Sequence, residues 1–264
     1  MKIPLLSCYN IIKCTKGEEF MPRDVKADIF KTVEDTVAEF REAEDVKTAF
    51  GKPRVGFVSA NHPLYDTLFA RGVNDHPKNI YRPGYTVIVH YVPYEEGENA
   101  FFDAVKLTMA INGNIRRYLD KLGRLTSNTC IPIDWDCEQC REEWCSKYTA
   151  WMAGMGSFGP AGSFHVPGET DRGIAGTIIT DGLYGEKPPE MTSEELESAF
   201  NEMMKDCRFK GTEGVECSDE LIAACPAGAI DRDGIDRKKC QDYCEKINSH
   251  TPNPEVCGKC FNCR

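Results

Sequence analysis

The string Cys225-Pro226-Ala227-Gly228-Ala229-Ile230 carries the sharpest chemistry in the chain. A Cys-Pro followed by small residues and Ile marks the ligand that leaves one iron–sulfur loop and enters the next. Cys240 follows it, and Cys257-x2-Cys260-x2-Cys263 then offers the close spacing that grips adjacent irons of a cubane. Thiolates suit iron because they are soft and donate charge, and four of them complete the coordination. The spacing therefore predicts a 4Fe–4S cluster on Cys225, Cys240, Cys257 and Cys260. Cys207, Cys217, Cys244 and Cys263 are left over, either as ligands of a second cluster or as thiols with no metal. A closed zinc knuckle on Cys240-x3-Cys244 and Cys257-x2-Cys260 is the competing reading. Zinc has no use for the Cys-Pro-Ala-Gly-Ala-Ile string, which favours iron.

Cysteine usage elsewhere agrees with an intracellular metal or thiol protein. Fourteen cysteines in 264 residues would suggest disulfides in a small secreted chain, but this chain is not small and shows no export signal. Leu5-Leu6-Ser7-Cys8 looks like a lipoprotein cleavage box, yet too little chain precedes it for a signal peptide. A cytoplasmic location is expected. Cys130, Cys137, Cys140 and Cys145 form a second group. Cys137-x2-Cys140 could bind metal or form a redox pair, although a reduced trio without function is the plainer expectation. The net charge is −10, from 42 acidic and 32 basic residues, which repels a phosphate backbone and argues against long nucleic acid as a partner. No apolar run reaches the length of a membrane span.

These groups need elements to position them. Val25, Ile29, Val33, Val37 and Phe40 recur at helical spacing and predict a helix over 24–50, closed by Gly51 and Pro53. Arg54 to Val58 reads as a strand. Tyr85 to Val92 is a clearer one, β-branched and aromatic, reached through Pro83-Gly84. Asn99 to Leu122 predicts a long helix stopped at Gly123. Leu125 to Ile133 suggests a strand, Glu138 to Met155 a helix, and Gly173 to Thr180 a buried strand. Thr192 and Glu195 form a capping box for a helix to about Lys205. After Cys207 the pattern changes to short loops punctuated by Cys, Pro and Gly. The organisation expected is an α/β domain over 1–190 and a cysteine-rich 4Fe–4S module over 191–264.

Three stretches together resemble epoxyqueuosine reductase, a relative of the cobalamin-dependent reductive dehalogenases. His76 to Val89 is similar to the family segment in which a Pro-Gly turn leads into a core strand. Ala150-Trp151-Met152-Ala153-Gly154-Met155-Gly156-Ser157-Phe158-Gly159, followed by Gly173-Ile174-Ala175-Gly176-Thr177-Ile178-Ile179-Thr180-Asp181, is similar to the family's glycine motif and the strand after it. Cys225-Pro226, Cys240 and the Cys257/Cys260 pair follow the order of the family's second cluster. The chain departs from the family in having only Cys207 and Cys217 ahead of Cys225, in Pro160 where a lysine is common, and in ending at Cys263-Arg264.

The resemblance implies a nitroreductase-like mixed sheet with flanking helices, joined to a ferredoxin-like iron–sulfur module. It implies cobalamin held by Gly154, Gly156, Ser157, Phe158, Gly159, His165, Gly176 and Thr177. Missing side chains at the glycines would let backbone approach a bulky flat ligand, although they would equally allow a tight turn. Asp134 and Asp136 fall where the family places its acidic residue and are the candidate catalytic acids, with His165 and Tyr148 as other proton sources. The function expected is a reductase of a small molecule or modified nucleoside, supplied with low-potential electrons by a ferredoxin or flavodoxin. The alternatives are a non-catalytic electron carrier, a reductive activator of a corrinoid protein partner, and a flavin-binding iron–sulfur reductase.

Overall fold

The computed structural model describes residues 24–97, 99–128, 143–159, 162–169, 172–205, 217–248 and 257, together with the backbone of 135–136 and 141–142. The elements run α1 (Val25–Arg41), β1 (Arg54–Ser59), α2 (Pro63–Ala70), α3 (Pro77–Ile80), β2 (Thr86–Pro93), α4 (Ala100–Lys121), β3 (Trp135–Asp136), β4 (Arg141–Glu142), α5 (Ser146–Met152), β5 (Ser157–Phe158), β6 (Phe164–His165), β7 (Gly173–Thr180), α6 (Ser193–Met204), α7 (Asp219–Ala224), β8 (Ile230–Asp231), β9 (Gly234–Ile235) and α8 (Arg237–Asn248).

The centre is a sheet in the order β1-β2-β7, antiparallel throughout. The expected mixed sheet is thus corrected for the described residues. Short helices α2 and α3 return the chain beside β1 in the opposite direction, where a parallel neighbour would need a full crossover. Every residue of β2 is buried, because both faces are covered. Ile88 and Val92 point to one face and Val87, Val89 and Tyr91 to the other, as the two-residue period of a strand requires.

The first face carries α1 and α4. Ile29, Val33 and Val37 of α1 meet Ala104, Leu107, Ile111, Ile115 and Leu119 of α4 in one apolar cluster with Ile88 and Ile178. The helices run antiparallel: Tyr118 Oη donates to Asp28 Oδ2 at 2.7 Å, and Asn114 Nδ2 donates to Thr36 Oγ1 at 2.8 Å. Asp24 caps α1 by accepting from the Ala27 N–H at 3.1 Å. The helix ends at Arg41 and does not reach Phe50. Glu42, Glu44 and Asp45 give the next turns no apolar stripe to bury. The Arg41 guanidinium instead donates to the Gly51 carbonyl at 2.8 Å, and Thr48 Oγ1 donates to the buried Asp103 carboxylate at 2.7 Å.

The second face is covered by α2, α5 and the β5–β6 hairpin. The helix expected over 138–155 is confined to Ser146–Met152, with β4 preceding it. Within the expected strand 125–133, Thr126 makes a single bridge to Thr180, and residues 129–133 lie outside the described set. The α6 capping box is present, with Thr192 and Glu195 bonded reciprocally. Phe200 and Met203 of α6 are buried in the same cluster as Leu64 and Leu68 of α2. α6 thus completes the second layer.

Polar side chains pin both layers to β7. His90 is fully buried, and its Nε2 lies 2.9 Å from Asn112 Oδ1 while Asn112 Nδ2 donates to the Thr177 carbonyl at 3.2 Å. That amide orientation makes Nε2 the protonated nitrogen of a neutral imidazole. Burial lowers the His90 pKa to about 4, against the opposing bond to Asn112. On the other face, Trp144 Nε1 donates to Thr177 Oγ1 at 2.8 Å, and Ser146 Oγ lies 3.1 Å from the same oxygen. Tyr65 is fully buried, stacks on Trp144 with ring centroids 6.0 Å apart, and has its hydroxyl 2.8 Å from Thr149 Oγ1. Removing that hydroxyl in Tyr65→Phe leaves the buried Thr149 oxygen without it and is expected to cost about 1–2 kcal/mol in urea unfolding.

Candidate metal centre

The C-terminal unit is built around a small core of Cys217, Leu221, Ile230 and Ile235, with Ile222, Ala224 and Cys225 packed against it. Ser218 caps α7 by accepting from the Leu221 N–H at 3.2 Å. Cys217 precedes that cap, and its N–H donates to the Arg232 carbonyl at 3.2 Å. Cys225 sits at the other end of α7 in an extended conformation, because Pro226 disfavours helix in the residue before it. The chain then turns so that the Ala229 N–H donates to Cys225 Sγ at 3.3 Å. Small residues at 227–229 permit this close approach of backbone to sulfur. The β8–β9 hairpin follows, closed by the Asp236 N–H donating to the Ala229 carbonyl at 2.8 Å, and it delivers the chain into α8.

Cys240 and Cys244 lie one turn apart on α8, which places them on one face. The Cys240 thiol hydrogen-bonds to Cys244 sulfur, and so does the Cys257 backbone N–H. These bonds lower the Cys244 pKa to about 6, led by Cys240, while burial and the neighbouring Glu245 act in the opposite sense.

The donor set fits an iron–sulfur cluster in chemistry. It offers thiolates on short loops and a helix, with backbone N–H groups aimed at Cys225 and Cys244, the pattern that stabilises anionic sulfur around such clusters. Of the ligands expected for the first cluster, Cys225, Cys240 and Cys257 are described and Cys260 is not. Of the second set, Cys217 and Cys244 are described, while Cys207 and Cys263 lie outside the described residues. Among the described residues, no three His, Cys, Asp or Glu side chains are already gathered about one metal-sized point. Cys244 falls beside Cys240 and not with Cys217. Its i, i+4 spacing from Cys240 was the available signal.

The residues expected to hold cobalamin are occupied by the chain itself. A Cβ on Gly156 would lie 2.1 Å from the His165 carbonyl oxygen, and one on Gly159 would lie 2.2 Å from His165 Nε2. Both glycines serve the β5–β6 hairpin, whose register pairs Ser157 with His165 and Phe158 with Phe164. Gly176 faces the first layer, where a Cβ would meet His90 Nε2 and Thr108 Cγ2, both at 2.5 Å. The Phe158 ring is buried between Tyr148 and Phe164, with centroids 5.0 and 5.5 Å away. Thr177 Oγ1 is engaged by Trp144 and Ser146. Only Ser157, which is exposed, and Gly154, with open space beside it, present free surface. These residues do not fit a corrin as a group.

The remaining candidates divide in the same way. His165 Nε2 lies 2.9 Å from Ser163 Oγ inside the hairpin. Tyr148 is buried in the aromatic cluster. Asp136 belongs to β3, while Asp134, Cys130, Cys137 and Cys140 lie outside the described residues. Cys145 precedes α5, and its N–H donates to Asn74 Oδ1 at 2.6 Å. The buried pair His90–Asn112 was not anticipated from sequence. A histidine inside the apolar run of β2 was its only mark.

No family model matches the chain, and no curated protein matches it. Solved structures do. Epoxyqueuosine reductase from Streptococcus thermophilus superposes with a TM-score of 0.50 at 14% identity, over 90% of this chain and 65% of that one. The enzyme from Bacillus subtilis gives 0.45 at 13% identity, over 88% and 64%. An epoxyqueuosine reductase solved with an epoxyqueuosine-modified tRNA stem loop gives 0.47 at 12% identity, over the same 88% and 64%. This chain thus spans less than two thirds of the length of these structures. The described residues form an α/β protein with small antiparallel sheets, structurally similar to epoxyqueuosine reductase, and none of their helices is long and apolar enough to cross a membrane.

Proposed function

We propose that this chain is an iron–sulfur reductase built on the fold of epoxyqueuosine reductase. It takes low-potential electrons from a ferredoxin or flavodoxin in the cytoplasm and passes them to a small molecule or modified nucleoside. The observation that carries the reading is the attachment of the Cys225 turn and the Cys240–Cys244 pair to that fold. The cysteine module begins after α6, between residues 205 and 217. Its ferredoxin-like character and the nitroreductase-like character of the first domain belong to the same proposal.

The filled glycine positions favour a second reading. In it the chain is an electron carrier or reductive activator, and the corrinoid belongs to a partner protein. Anaerobic purification followed by iron, sulfide, corrinoid and flavin analysis tests both. Brown protein with equal iron and sulfide, bleached by a reduced flavodoxin, is the expected result. Colourless protein carrying zinc would overturn the iron–sulfur reading. Bound corrinoid would favour the enzyme over the carrier, and bound flavin would replace both. In Cys225→Ser, iron and sulfide are expected to fall sharply with the far-ultraviolet spectrum retained, because a serine hydroxyl is a poor ligand for iron that a thiolate holds.

A further inference from the structure

We propose that the Asp233–Gly234 peptide is a modification site, at which the folded chain isomerises to an isoaspartyl linkage. Aspartate or asparagine followed by glycine occurs three times, at Asn112–Gly113, Asp181–Gly182 and Asp233–Gly234. A glycine in second place leaves the approach to its own amide nitrogen unhindered, because it carries no side chain. The fold closes the first two pairs and leaves the third open.

Asn112 is buried inside α4, where its Oδ1 is held by His90 and its Nδ2 by the Thr177 carbonyl. Asp181 Oδ1 accepts from the Leu125 N–H at 3.0 Å, and the Gly182 N–H donates to Thr180 Oγ1 at 3.2 Å. A Cβ on Gly182 would lie 2.2 Å from the Tyr184 ring, so that nitrogen is walled in as well as bonded. In neither pair can the side chain swing onto the next nitrogen without breaking these contacts. Asp233 is exposed in the two-residue connection of the β8–β9 hairpin. Its neighbours are engaged elsewhere. Asp231 Oδ1 accepts from the Asp233 N–H at 3.0 Å, and the Arg232 guanidinium pairs with Asp219 at 2.7 Å. Among the described residues the Asp233 carboxylate has no hydrogen-bond or ion-pair partner of its own. Gly234 follows it with φ +125°, a backbone that glycine adopts readily.

The chemistry needs only water. The Gly234 amide nitrogen attacks Cγ of the protonated Asp233 carboxyl and loses its proton. A C–N bond forms, the C–OH bond breaks, and water leaves a five-membered succinimide. Water then adds to either ring carbonyl. Opening at Cγ restores aspartate. Opening at the α-carbonyl leaves the main chain running through Cβ and Cγ, with the α-carboxylate as the side group. That product is one carbon longer in a hairpin with little slack. Ile230 and Ile235 are buried in the small C-terminal core, and the Arg232 carbonyl accepts from the Cys217 N–H. Isomerisation therefore disturbs the turn that leads into α8. It also creates the displaced carboxylate that an S-adenosylmethionine-dependent isoaspartyl methyltransferase esterifies.

The test ages full-length protein in a slightly acidic buffer, folded and in parallel unfolded in guanidinium chloride. Isoaspartate is located by peptide mapping and counted with a recombinant isoaspartyl methyltransferase and labelled S-adenosylmethionine. In the folded protein Asp233 is expected to convert at least about tenfold faster than Asp181, which reacts only in the fraction of molecules opened there. In guanidinium the two rates should converge. Conversion by way of global unfolding would expose both pairs alike, so equal rates in the folded protein would overturn the proposal. So would folded protein in which Asp233 stays unconverted. Asp233→Glu, whose ring closure would have to form a slower six-membered product, is expected to lose the methyl-accepting signal and keep the wild-type unfolding curve. An undiminished signal in that variant would equally overturn the assignment.

Discussion

Gly156→Val is expected to unfold or severely destabilise the α/β domain, by about 4 kcal/mol or more, whether or not any ligand is present. The new Cβ would fall 2.1 Å from the His165 carbonyl oxygen and 3.1 Å from Phe164 Cε1. The first of these is backbone in a paired strand, so no side-chain rotation relieves it. Opening the β5–β6 hairpin would also expose Phe158 and Phe164, both buried in the second apolar cluster. For a chain of this size the melting temperature should fall by roughly 10 °C or more. Gly154→Ala is the matched control. Gly154 has φ +69° and open space around it, so alanine there meets only the left-handed backbone penalty of about 1–2 kcal/mol. Equal stability of Gly156→Val and wild type in thermal unfolding would show that the hairpin is not packed as described.

Acid should remove a further increment of stability through His90. Its pKa is lowered from 6.5 to about 4 in the folded protein. The folded state therefore binds this proton less readily than the unfolded state does. The stabilisation is complete above pH 6.5 and is lost as pH falls from 6.5 towards 4, and integrating over that window gives about 3 kcal/mol. Among the described residues Nδ1 has no partner, so protonation would place a charge and a new donor where nothing accepts it. Burial lowers the pKa of His62 and His76 as well, so both act in the same direction. His90→Gln keeps a hydrogen-bonding group towards Asn112 but cannot titrate. The difference in unfolding free energy between wild type and His90→Gln should shift by about 3 kcal/mol across this window. A difference that stays constant with pH would remove His90 from the acid response.

The elements that could be read from sequence are those fixed by neighbours along the chain. Thr192 and Glu195 cap α6 because their partners lie three residues apart. Gly123, with φ +69°, stops α4 for reasons local to that turn. The strand Thr86–Pro93 was legible because β-branched and aromatic residues fill it. The extent of α1 was not, because Val46 resembles one more apolar repeat although it packs on the core from irregular chain. Residues 138–155 show helix-compatible composition, but pairing of Arg141–Glu142 with Trp135–Asp136 takes their first part into a hairpin.

Sites followed the same division. The Cys225 turn was visible because its bond to Ala229 spans four residues. The contents of the glycine-rich segment were not, because what fills Gly156 and Gly176 depends on register. One strand pair brings His165 to the first glycine, and another brings His90 to the second. A glycine required by the chain's own packing and a glycine cleared for a ligand look identical in sequence.

Thr177 has a dynamic consequence. Its carbonyl holds Asn112 of α4, and its hydroxyl holds Trp144 and Ser146 beside α5. One residue of an edge strand is thus fastened on both sides of the sheet. Neither outer layer can open without straining the anchorage of the other. Amide protons of α4 and α5, which lie on opposite faces of the sheet, should exchange with deuterium through one shared opening event and behave as a single cooperative unit. A small change at either helix should then alter the exchange lifetime of both.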